Sequence, residues 1–136
     1  MKATFFYGLF MDEALLRDKG CHPTKPIRGY AGGYGLRIGE RATLVKSADE
    51  RAYGTIMSLS ELDLECLYGE PSVEDYLPET IVATTFENEA IEVLVYNLPV
   101  EKLTGQNKKY AMSLATVASD CGLPKEYIQI IEAFAR

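Results

Sequence analysis

Two stretches of the chain carry residues able to do chemistry. The first is Tyr7-Gly8-Leu9-Phe10, where the apolar run that starts at Ala3 breaks at a glycine just before Met11-Asp12-Glu13-Ala14-Leu15-Leu16. A strand that runs through glycine towards a helix start gathers free backbone N–H groups, and such groups hold anions. The second is Glu70, which closes a short helical stretch and precedes Pro71 and then Tyr76. A carboxylate there, pointing into a partly apolar pocket, would have its pKa raised by desolvation towards a value useful to a general base. Taken singly, each has a plain alternative: a tight corner at Gly8, a solvated helix-end glutamate at position 70.

Other chemistries find little support. Cys21, Cys66 and Cys121 are odd in number and widely spaced, which suits neither a disulfide framework nor a zinc site with paired ligands. His22 is the only histidine. It adjoins Cys21 in a stretch bounded by Lys19-Gly20 and Pro23, and adjacent residues rarely face each other. A Ser-His-Asp triad would have to run through that one residue, so an enzyme built on this chain takes its base from a carboxylate. Gly33-Tyr34-Gly35 lacks the third glycine and the following helix of a dinucleotide loop.

The elements that must position these stretches read as follows. The apolar and aromatic run from Ala3 to its break at Gly8 is a buried central strand. Asp12 to Lys19 makes a short helix stopped by Gly20. Ile27 to Ile38 is one or two bent strands, because glycine inside a strand pattern marks bulges or close backbone approach. Arg41 to Val45 is a short extended piece, Ser47 to Glu50 a polar turn, and Ala52 to Leu59 a further strand. Ser60-Glu61-Leu62-Asp63 fits a capping box, starting a helix that ends near Gly69. Thr80 to Phe86 and Ala90 to Leu98 form a hairpin turning at Glu87-Asn88-Glu89. Two helices close the chain, Gln106 to Cys121 with Gly122 as its stop, and one begun by Pro124. Helices interspersed with hairpins predict an α+β fold with a mostly antiparallel, barrel-like mixed sheet, short helices and a helical C-terminal segment.

The bulk composition bounds the function. A chain of 136 residues is expected to form a single domain, 1–136, and its 47% hydrophobic and 25% charged residues leave disorder aside. The net charge is −6, and the basic residues are scattered. Nucleic acid and anionic membranes are therefore poor partners. No apolar run reaches membrane-spanning length, and the start lacks the pattern of a cleaved leader, which points to the cytoplasm.

Taken together, the parts resemble the γ-glutamylcyclotransferase-like family, which includes the γ-glutamylamine cyclotransferases. Such proteins open with a strand into Tyr-Gly-Ser or Tyr-Gly-Thr, here Tyr7-Gly8-Leu9. A strand follows whose pattern is matched by Ala52-Tyr53-Gly54-Thr55-Ile56-Met57. A short helix then leads to a glutamate, a tyrosine and a strand, here Glu70, Tyr76 and Thr80 to Thr85. The end is similar too, in Pro99, Tyr110 and the run Gly122 to Ile128. The resemblance covers nearly the whole chain.

The resemblance implies an intramolecular aminolysis. The α-amine of a γ-glutamyl group attacks its own γ-carbonyl, giving 5-oxoproline and a released amine or amino acid, with no metal and no cofactor. Glu70 would be the acid/base, Tyr7, Gly8, Leu9 and Phe10 the substrate cradle, and Tyr76 and Tyr110 pocket walls or hydroxyl donors. Those two tyrosines serve equally well as core aromatics with a wet hydroxyl. Two departures stand out: Leu9 replaces the hydroxyl residue of the motif, and Cys66-Leu67-Tyr68-Gly69 stands where Leu-Asp-x-x usually precedes the glutamate. Glu65 is thus a rival for the catalytic position. A binding protein that keeps the pocket without turnover, and a domain whose exposed tyrosines form an interaction surface, are the alternatives from other classes. The leaving group and the oligomeric state are open.

Overall fold

The computed structural model describes residues 1–136. β1 (Lys2–Phe6) closes the sheet: it runs antiparallel to β3 (Ala42–Leu59), with Phe5 opposite Ile56, and parallel to β5 (Ala90–Asn97), with Thr4 opposite Leu94. With β2 (Ile27–Ile38) and β4 (Leu77–Thr85) the strands form a closed barrel in the order β1-β3-β2-β4-β5. This is the α+β, mostly antiparallel barrel that the sequence predicts. Thr4, Phe5 and Phe6 are all buried, so this part of β1 is covered on both faces and does not alternate between core and solvent.

Gly54 explains how β1 and β3 come so close: a Cβ at that position would lie 2.1 Å from the Phe6 carbonyl oxygen. At the same level, the Thr55 hydroxyl donates to the Met11 carbonyl at 3.3 Å, tying the barrel to the turn that leaves β1.

The expected polar turn at Ser47 to Glu50 is not a break between strands. β3 is one strand of 18 residues. Its register with β2 jumps from Arg51 opposite Gly32 to Lys46 opposite Tyr34, so Ser47 to Glu50 face only Gly33. Their polarity reflects this bulge at the rim, not a chain reversal.

The helices follow their caps. Leu9–Met11 is a separate single turn of 3-10 helix, and Asp12 then caps α1 (Glu13–Asp18) by accepting the Ala14 N–H at 3.0 Å. Ser60 caps α2 (Glu61–Tyr68) through the Asp63 N–H at 3.1 Å, as the capping box predicts. Asn107 caps α3 (Lys108–Asp120), which ends at Gly122 in the left-handed conformation, φ +80°. Pro124 precedes α4 (Lys125–Ala133). α3 and α4 bury Ala111, Leu114, Ala118, Tyr127 and Ile131 against the barrel in one connected core. No helix is long and apolar enough to cross a membrane.

Candidate active site

Three short segments meet over one end of β1. The turn Tyr7–Phe10 leaves the strand, the stretch after α2 brings Glu70 to Tyr76, and the first turn of α3 brings Tyr110. Between them lies a cavity of about 570 Å³, within the range of small-molecule sites. Its lining includes all seven residues singled out in the sequence: Tyr7, Gly8, Leu9, Phe10, Glu70, Tyr76 and Tyr110. Glu65 is exposed and lies outside that lining. Cys21 is buried while the adjacent His22 is exposed, so the two do not form a pair directed at one site.

The turn supplies donors. Its carbonyls are in use, Gly8 O accepting from Met11 N–H at 3.0 Å and Leu9 O from Asp12 N–H at 3.2 Å. The N–H groups of Gly8 and Phe10 donate to no backbone carbonyl, as expected where a helical turn begins. The Leu9 N–H faces the Tyr110 phenol, and a Cβ on Gly8 would lie 2.9 Å from that phenolic oxygen. Glycine at position 8 is therefore what lets Tyr110 sit on the turn. The Leu9 side chain offers no hydroxyl, so polar contacts from this turn come from the backbone and from Tyr110.

The tyrosines are walls held by their hydroxyls. Tyr7 is buried and donates to the Tyr96 carbonyl at 2.7 Å, while Tyr76 donates to the Ala42 carbonyl. Burial pushes the Tyr7 phenol well above its ordinary value, that of Tyr110 upwards too, and that of Tyr76 up to about 12. All three are thus neutral phenols at working pH, able to donate hydrogen bonds but not to act as bases.

Glu70 sits differently from expectation. Its side chain is 37% exposed, and both carboxylate oxygens are engaged by the Lys19 ammonium, at 2.8 and 3.1 Å. The dehydration expected of a base in an apolar pocket is absent at this side chain, because α2 ends at the cavity rim and α1 ends opposite it. Lys19, Tyr68, Tyr96 and Arg41 also line the cavity, beyond the site residues expected from the sequence. Tyr68 stacks on Tyr96 with ring centroids 3.7 Å apart, and Phe10 meets Tyr68 edge-on at 5.7 Å. Tyr68 had a signal, two residues before Glu70. Lys19 had none, since its partner lies 51 residues away.

Of the nine tyrosines, Tyr7 and Tyr127 are buried and the other seven are half-buried.

No protein-family model matches the chain, and no curated protein matches it by sequence. Solved structures do. An uncharacterized protein from Homo sapiens superposes with a TM-score of 0.77 at 18% identity, over 97% of this chain and 86% of that one. A structure named gamma-glutamyl cyclotransferase gives 0.77 at 17% identity, with the same coverage. The chain has the γ-glutamylcyclotransferase-like fold. YkqA from Bacillus subtilis superposes at 0.79 with 18% identity, and there this chain spans 98% of its own length but 54% of the other. At such identities the likeness establishes the fold, and the chemistry rests on the cavity.

Proposed function

We propose that the chain is a cofactor-independent enzyme that cyclises a γ-glutamyl group to 5-oxoproline and releases an amine or amino acid. The observation that carries this reading is that Glu70 and the turn Gly8–Phe10, far apart in sequence, line one cavity. Glu70 takes a proton from the substrate's α-ammonium, and the freed amine attacks the γ-carbonyl to close a five-membered ring. The carbonyl oxygen becomes an oxyanion that the N–H groups of Gly8 and Phe10 and the Tyr110 hydroxyl stabilise. The C–N bond to the leaving group then breaks as Glu70 returns its proton to the departing nitrogen, and the ring nitrogen's surplus proton passes to the released amine, which leaves as an ammonium. Holding the two ends of one molecule together removes much of the entropic barrier. The aromatic wall of Tyr68, Tyr96 and Phe10 suits a leaving group with apolar surface.

A second reading has its own support. With Leu9 in place of a hydroxyl residue and both Glu70 oxygens held by Lys19, a γ-glutamyl binding protein without turnover fits the same cavity. The deciding experiment is 5-oxoproline release from a panel of γ-glutamyl compounds, with wild type and Glu70→Gln side by side. Release from wild type that drops in the variant by ~10²–10⁴-fold supports the enzyme. A silent panel whose members still raise the melting temperature supports the binder.

A further inference from the structure

We infer that Lys19 and Glu70 form an exchangeable pair that recognises the amino-acid zwitterion of a γ-glutamyl group, Glu70 taking its α-ammonium and Lys19 its α-carboxylate. The inference deepens the reading above and rests on it for the identity of the ligand.

Three observations carry it. First, the Glu70 carboxylate is engaged by a primary ammonium, in contact with both oxygens. A substrate α-ammonium is the same chemical group and presents the same donors to the same acceptors. Second, Lys19 is placed to let go. Its side chain is 30% exposed and that of Glu70 37%, and ion pairs this open to water contribute little, so opening one is easy. Third, the Lys19 ammonium that holds Glu70 also lies 6.0 Å from the centre of the ring of Phe10, a residue of the cradle. A small swing of a four-carbon stem keeps it over the cavity, where the anionic half of the zwitterion lies. One internal pair thus opens into two pairs with the ligand. With Lys19 on the α-carboxylate, the turn amides remain free for the oxyanion and need not serve both anionic groups.

The test uses γ-glutamylalanine and its α-carboxamide, which keeps the ammonium and lacks the α-carboxylate. Binding of each is measured by calorimetry to wild type, Lys19→Met and Lys19→Arg, alongside 5-oxoproline release. Wild type is expected to prefer the carboxylate by roughly tenfold or more, as one charge-assisted hydrogen bond provides. Lys19→Met loses that preference and Lys19→Arg keeps it, with unchanged melting temperatures showing that the fold is intact. The preference in wild type should also fade as salt is added. A preference that persists in Lys19→Met, or two compounds that fail to bind wild type at millimolar concentration, overturns the inference. The two readings separate cleanly. Turnover lost only in Glu70→Gln, together with an unaltered preference in Lys19→Met, keeps the enzyme and discards the exchange. A Lys19-dependent preference without any 5-oxoproline keeps the exchange and discards cyclisation.

Discussion

Two of the molecule's six cation–carboxylate pairs, nearly equal in exposure, are built for different ends. In one, Arg37 on β2 grips Glu50 on β3 with two parallel bonds, 3.1 and 2.7 Å; their side chains are 38% and 35% exposed. In the other, Lys19 meets Glu70 with a single ammonium, and the exposures are 30% and 37%. The guanidinium is a planar fork whose geometry fixes its partner, whereas the ammonium is a point charge on a flexible stem. The supports differ as well. Arg37 and Glu50 stand on paired strands, and the Glu50 carboxyl covers Gly35, where a Cβ would come within 2.5 Å of it. Lys19 and Glu70 stand just past the ends of two short helices, at the rim of a cavity. Exposure alone therefore does not separate a clamp from a latch; donor geometry and the stiffness of the flanking backbone do.

The sharpest way to break the comparison is to neutralise each carboxylate in turn. Glu70→Gln is expected to lower 5-oxoproline release by ~10²–10⁴-fold with its urea midpoint close to wild type. Glu50→Gln is expected to do the reverse, losing about 1 kcal/mol of stability with release intact. A Glu50 variant that stops turnover, or a Glu70 variant that unfolds, would reverse the two roles.

Acid sharpens the clamp next. The Arg37 hydrogen bonds hold the Glu50 carboxyl down at about 2, against an ordinary 4.5. Because the folded value is the lower one, the pair's contribution is whole above about pH 4.5 and disappears as pH falls through 2. Urea midpoints of wild type and Arg37→Met should differ at neutral pH and converge towards pH 2. A gap that is constant with pH would mean that Arg37 acts through packing and not through its charge.

How much of this was legible in the sequence depends on the range of the interactions involved. The Ser60 cap, the Gly122 stop and the dense apolar run of β1 are local signals, and each element formed where its signal stood. The barrel class followed from the order of those elements. At Ser47 to Glu50 the sequence alone points to a turn, because polarity marks both a chain reversal and a strand rim, and only the pairing with β2 distinguishes them. The candidate site was partly legible: the Tyr7–Phe10 turn and Glu70 could be named from their places beside strand and helix ends. The solvation of Glu70 could not. It depends on Lys19, which α1 delivers from 51 residues upstream, and no spacing rule reaches that far.

The smallest expected effect tests the latch most directly. Removing one partner of a buried pair is costly because it strands a charge without water, but Glu70 is open enough for water to replace the lysine. Lys19→Met keeps most of the apolar stem against Phe10 and loses only the ammonium. It is expected to change stability by less than about 0.5 kcal/mol, and by less than Arg37→Met measured in the same buffer. The two sites share no partner, so the double variant should equal the sum of the singles within about 0.5 kcal/mol. A Lys19→Met loss well above 1 kcal/mol would make the pair structural, since an interaction that holds the cavity rim together cannot also be given up each time a ligand enters. Chemical denaturation of the four proteins, at low and at high salt, decides between these outcomes: a latch loses little in either, and a clamp loses most where screening is weakest.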